Sequence, residues 1–67
     1  MINFQLNGEI KQISPGKTLA ELIAELGLTG KRLAIELNQE IVPRSEHANT
    51  QIQPNDQVEI VHAIGGG

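Results

Sequence analysis

The chain contains no cysteine, no tryptophan and no tyrosine, and Phe4 is its only aromatic residue. Without cysteine it can form no disulfide scaffold, no thiolate zinc site and no cysteine nucleophile. A stapled secreted miniprotein is disfavoured on the same ground, so the cytoplasm is the expected compartment. Long apolar runs are missing too, and nothing approaches the roughly 20 residues that span a bilayer. The opening Met1-Ile2-Asn3-Phe4-Gln5-Leu6-Asn7 alternates apolar with polar and has no basic region, so it does not read as a signal peptide. Positive charge is scarce in the second half. Residues 34–67 hold only Arg44 against Glu36, Glu40, Glu46, Asp56 and Glu59, a net of −4, whereas residues 1–33 net +1 within a total of −3. An acidic half with one aromatic lacks the basic stripes and stacking rings of a nucleic-acid binder. The expectation is therefore no nucleic acid and no membrane, but a protein partner with a basic face.

What is present fits one small domain. The 67 residues are 39% hydrophobic, a normal globular content, and 19 of the 26 apolar residues are Leu, Ile or Val. Ile2, Phe4 and Leu6 alternate with Asn3 and Gln5, the period of a half-buried strand. Asn7-Gly8 is a strong hairpin signal, and the return strand runs from about Glu9 to Ile13. Its register is open: a two-residue turn sets Ile13 opposite Ile2, a bulged turn sets Ile10 opposite Leu6, and Ile10 and Ile13 cannot share a face. Ser14-Pro15-Gly16 ends this strand. Thr18 then reads as a helix N-cap, with Glu21 completing a capping box. Leu19, Leu22, Ile23 and Leu26 form an apolar helical stripe, Gly27 stops the helix, and Leu28 packs back on it. Leu33, Ile35 and Leu37 give a third strand. Asn38-Gln39 turns into a short strand over Glu40-Ile41-Val42, which Pro43 stops. The polar segment from Arg44 to Gln51 predicts one helical turn capped by Ser45, and Ile52 is expected to pin it to the core. After the turn at Pro54-Asn55-Asp56, a last strand over Gln57–Ala63 sets Val58 and Ile60 on one face and Glu59, Val61 and Ala63 on the other. One amphipathic helix and five strands with one apolar face each predict an α+β fold, a mixed five-stranded sheet with the helix across one face.

Several local patterns imitate chemistry. Gly16-Lys17-Thr18 lies between strand and helix like the end of a phosphate-binding loop, but Lys11 stands where that motif needs glycine. Ser14-Pro15-Gly16-Lys17 has an S-x-x-K spacing without its companion motifs. His47 and His62 lack ligand spacing and read as polar surface residues, so no metal site is expected. No nucleophile–base arrangement is visible, no catalytic residue is assigned, and the chain does not read as an enzyme.

The end of the chain is distinctive. Gly65-Gly66-Gly67 follows a strand directly, which puts a carboxylate on the thinnest possible stalk; three residues reach at most about 10 Å. A chain of this length, with this element order and a Gly-Gly carboxylate, resembles the ubiquitin-like β-grasp sulfur carriers, and within them the ThiS family. The most specific stretches are Ala34-Ile35-Glu36-Leu37-Asn38-Gln39-Glu40-Ile41-Val42-Pro43-Arg44 and Asp56-Gln57-Val58-Glu59-Ile60-Val61-His62-Ala63-Ile64-Gly65-Gly66-Gly67. The chain departs from the family's usual aromatic at His47 and usual glycine at Asn55, both in surface segments. The resemblance implies a β-grasp domain over 1–64 and a glycine tail at 65–67. It implies that a ThiF-like adenylating enzyme, using Mg-ATP that the carrier itself does not bind, activates the Gly67 carboxylate. A cysteine desulfurase relay then converts it to a thiocarboxylate, and thiazole synthase (ThiG) takes the sulfur for the thiazole ring of thiamin. Gly65 and Gly66 would enter the partner's active site, while Glu59, Val61, Ala63 and Ile64 would dock. Two alternatives stay open: a carrier for molybdopterin or cysteine synthesis, and a protein modifier conjugated through Gly67.

Overall fold

The computed structural model describes residues 1–62; the expected domain boundary after Ile64 and the tail lie outside them. The elements run β1 (Ile2–Leu6), β2 (Glu9–Ile13), α1 (Leu19–Glu25), β3 (Leu33–Leu37), β4 (Glu40–Val42), a 3-10 helix (Arg44–Asn49) and β5 (Gln57–His62). They form one mixed sheet in the order β2-β1-β5-β3-β4, with β1 and β5 parallel and the other neighbours antiparallel. This is the expected β-grasp arrangement, and it makes β5 the central strand.

The β1–β2 hairpin resolves the register left open above. Ile2 pairs with Ile13 and Leu6 with Glu9 across a two-residue turn, in which Asn7 and Gly8 both have positive φ (49° and 83°). Such turns match the natural twist of the strands they join, and glycine takes this conformation without a Cβ penalty. Ile13 is thereby buried, and Ile10 is left 73% exposed on the other face.

Phe4, Ile13, Ile35, Val58 and Ile60 from the sheet meet Leu19, Leu22 and Ile23 of α1, and Ile52 closes this core. Ile52 is pinned as expected, by hydrogen bonds from its N–H to the Lys17 carbonyl and from the Leu19 N–H to the Thr50 carbonyl. Leu28 packs against the core through the turn at Gly27.

Two expectations are corrected. Leu26 does not join the buried stripe. The helix ends at Glu25, Leu26 is its C-cap, and its side chain is 43% exposed. Ser45 does not cap the following turn. No side chain caps that 3-10 helix; the Glu46 N–H donates to the Pro43 carbonyl, and Arg44 and His47 tie the segment down by donating to the carbonyls of Lys31 and Val42.

The capping box at Thr18 is present. The Glu21 N–H donates to Thr18 Oγ1 at 3.1 Å, and the Thr18 N–H donates to Glu21 Oε1 at 3.0 Å. Thr18→Ala is expected to cost about 1 kcal/mol, lowering Tm by about 4–8 °C in a domain this small. The Thr18 N–H is also the main reason the Glu21 carboxyl lies below its ordinary 4.5. A depressed carboxyl contributes stability that is present above pH 4.5 and is lost as pH falls through the folded-state value. Glu21→Gln, which does not titrate, should therefore flatten the acid limb of a Tm-against-pH curve.

Candidate functional site

Alternation along β5 divides its side chains cleanly. Val58 and Ile60 enter the core, while Glu59 and Val61 stand on the helix-free face. This is where the sequence placed them. Ala63, Ile64, Gly65, Gly66 and Gly67 lie outside the described residues.

The antiparallel register with β3 supplies neighbours that the sequence reading had not assigned to the site. Glu36 stands directly opposite Glu59, and Ala34 opposite Val61. Ile41 of β4 is opposite Glu36 in turn. Residues opposite one another share a face, so Ala34, Ile41 and Val61 make an apolar strip beside two carboxylates. Ile41 is 70% and Val61 52% exposed. Like charges directly across a ladder destabilise it, and neither glutamate has an ion-pair partner among the described residues. Each strand's period of two is readable from sequence. Which strands are adjacent is not, and that adjacency is what gathers Glu36 and Ile41 around Glu59 and Val61.

At its start β5 is held by the β3–β4 turn. The Asn38 N–H donates to the Gln57 carbonyl at 2.8 Å and the Gln57 N–H to Asn38 Oδ1 at 2.9 Å. Asn38 Nδ2 also donates to Asp56 Oδ1 at 3.1 Å. Further along, the Ile60 N–H donates to Asn7 Oδ1 at 2.8 Å. The strand that leads to the terminal glycines is thus fixed from both sides and presents one face to solvent.

The segments that imitated other chemistry have structural roles. At Gly16-Lys17-Thr18 the Thr18 N–H is spent on Glu21, and Lys17 Nζ pairs with Glu25 Oε2 at 3.1 Å. That partner, by hydrogen bond and charge, raises the lysine above its ordinary 10.5. His47 is half-buried with Nε2 2.9 Å from the Val42 carbonyl, so this nitrogen carries the proton. His62 is exposed, opposite Leu33. Among the described residues no three His, Cys, Asp or Glu side chains group to hold a metal, and no helix is long and apolar enough to cross a membrane.

The model of the ThiS family matches residues 4–67. The sulfur carrier protein ThiS of Bacillus subtilis is 34% identical over 64 residues, covering 94% of this chain and 97% of that one. A thiazole synthase of Paramagnetospirillum magneticum is 42% identical over 62 residues, which is 92% of this chain but 19% of that protein. The chain therefore spans about a fifth of the length of such thiazole synthases. The crystal structure of the thiamine biosynthesis protein (ThiS) from Geobacter metallireducens superposes with a TM-score of 0.82 at 27% identity, covering 98% of this chain and 100% of that one.

Proposed function

Because this chain belongs to the ThiS family, we propose that it carries sulfur on its Gly67 carboxylate for the thiazole ring of thiamin. A carboxylate is a poor electrophile. A ThiF-like adenylating enzyme corrects this by joining it to the α-phosphate of Mg-ATP with loss of pyrophosphate. The outer sulfur of a persulfide on a donor of the cysteine desulfurase type then displaces AMP to form an acyl disulfide. A thiol reduces that S–S bond, leaving the donor in a disulfide and releasing the thiocarboxylate that thiazole synthase accepts. The carrier catalyses none of these steps.

The observation that carries the reading is the family match running through residue 67, over the three glycines that follow the central strand. It is supported by relatives named as sulfur carriers at nearly full length, and by thiazole synthases that contain a stretch similar to this whole domain. The deciding measurement is the intact mass of the protein purified from its own cells. One oxygen replaced by sulfur is the expected result. Isopeptide-linked adducts in the lysate, with no thiocarboxylate, would instead assign a protein modifier.

In this reading Glu59, Val61, Ala63 and Ile64, joined by Glu36, Ala34 and Ile41, dock on the adenylating enzyme. Glu59→Lys removes the like-charge opposition to Glu36 and so leaves the fold at least as stable. It is expected to weaken complex formation about tenfold, and more at low salt. Val61→Asp, which sets a charge in the apolar strip, should weaken it by about as much. Titration calorimetry at two ionic strengths checks both, and wild-type affinity for the pair would move docking to another face.

A further inference from the structure

The central strand β5 is served by β1 along only part of its length. Gln5 and Leu6 pair with Gln57 and Val58, and then β1 ends and the chain turns at Asn7-Gly8. The Asn7 N–H still reaches the Val58 carbonyl at 2.9 Å. For the next rung the Asn7 side chain stands in for a strand, with Oδ1 accepting from the Ile60 N–H at 2.8 Å.

That bond fixes the direction of the backbone groups of β5 as far as His62. Ile60 points its N–H toward β1, so its pairing with Ile35 is a non-hydrogen-bonded rung of the antiparallel β3–β5 ladder. Rungs alternate. The Leu33–His62 pair, two residues on, is therefore non-hydrogen-bonded as well. The His62 N–H and the Ile60 carbonyl point away from β3, toward the side where β1 has already ended, and no described backbone group bonds to them.

We propose that this open step, from Ile60 to His62 beside the Asn7-Gly8 turn, receives an extended backbone segment of the adenylating partner as a short added strand. The inference rests on the carrier reading above. Five residues follow His62, and they span at most about 16–18 Å. A protein holding the terminal carboxylate in its active site is therefore already within that distance of the step. Addition of a strand to an exposed edge supplies main-chain hydrogen bonds that the alternating side chains then make specific. On the helix-free face the added segment would lie next to Val61 and Glu59, with Glu36 beyond. Charge complementarity calls for a lysine or arginine over the carboxylates and an apolar residue over Val61. Asn7 closes the step at one end, which restricts the added strand to two or three residues.

Of the sheet's two outer edges, β4 is only 3 residues long, so the edge of β2 is the competing location. A second copy pairing there antiparallel about Lys11 would set that lysine against its own equivalent, which disfavours it. Amide hydrogen exchange of the full-length carrier, free and saturated with its adenylating enzyme, separates the two. The His62 amide is expected to slow about tenfold or more in the complex, with Ile60 and the β2 amides unchanged. Slowing on β2 without slowing at His62 overturns the proposal, as does no slowing at either. The second measurement is affinity. His62→Pro removes a donor that β3 does not use, so the fold should survive; it should bind about tenfold more weakly, since one hydrogen bond is worth on that order. His62→Ala, which keeps the N–H, should bind like wild type. Wild-type binding by His62→Pro overturns the added strand. A thiocarboxylate found in the intact mass alongside either negative result leaves the carrier reading standing and removes only this one. Failure to form any complex overturns both.

Discussion

In the proposed carrier role, deletion of Gly67 should leave a protein that melts like wild type and that an adenylating partner scarcely activates. The shortened chain still ends in a glycine carboxylate of identical chemistry. What changes is reach, because the new carboxylate is drawn back by as much as 3.3–3.6 Å. A misplacement of about 1 Å can cost on the order of a hundredfold in rate, so pyrophosphate exchange should fall by at least that factor. Gly66→Val tests the same stalk without shortening it. A β-branched side chain narrows the accessible backbone conformations and widens the chain where it must enter a channel, and exchange should again fall about a hundredfold. Neither change alters a residue of the described β-grasp core. The melting curve run beside the exchange assay should therefore be unmoved. Wild-type exchange by both variants would remove Gly67 as the reacting residue.

The second large effect lies on stability, not activity. Ile35 is fully buried, opposite Ile60 on one side and Val42 on the other. Its truncation to alanine removes buried methyl groups and leaves a cavity, at a cost of about 2–5 kcal/mol. The whole domain is held by roughly 3–10 kcal/mol at typical per-residue stabilities, so Ile35→Ala should lower Tm by about 10–20 °C or more. Ile41, on the adjacent strand, provides the contrast. It is an isoleucine in the same ladder, but 70% exposed on the helix-free face. Ile41→Ala should shift Tm by no more than a degree or two, within the usual range for surface substitutions. A larger loss from Ile41→Ala than from Ile35→Ala would mean that the faces of β3 and β4 are assigned the wrong way round.

The contrast between these two isoleucines also shows what a single sequence can and cannot convey. Period-two alternation identified each strand, and the capping box at Thr18 located the start of the helix, because both depend on residues near one another in the chain. The hairpin register was ambiguous because Ile10 and Ile13 both ask to be buried. The structure satisfies only Ile13, since Asn7 and Gly8 form a tight turn and cannot supply a bulge. Leu26 was misplaced for a related reason. Helical spacing predicts a face only while the helix continues, and this one ends a residue earlier. Ser45 has the chemistry of a cap, yet the segment after Pro43 is held by bonds to distant carbonyls that no local pattern announces. For the site, Glu59 and Val61 were legible from alternation toward the glycine end. Glu36, Ile41 and Asn7 were not, because they reach β5 through strand adjacency and a hydrogen bond spanning 53 residues.

The parallel pairing of the first and last strands has a mechanical consequence. The start of β1 and the end of β5 lie at opposite ends of the sheet, so tension between the termini slides one strand along the other and does not peel them apart. The bonds from Gln5 to Asp56, from Asn7 to Val58 and from Ile60 to Asn7 are then loaded together. Resistance to such a pull is set by the barrier to unfolding, not by equilibrium stability. In the proposed carrier role, where successive enzymes would grip the C-terminus, this arrangement resists unravelling, and stretching single molecules by their ends should rupture them in one abrupt step.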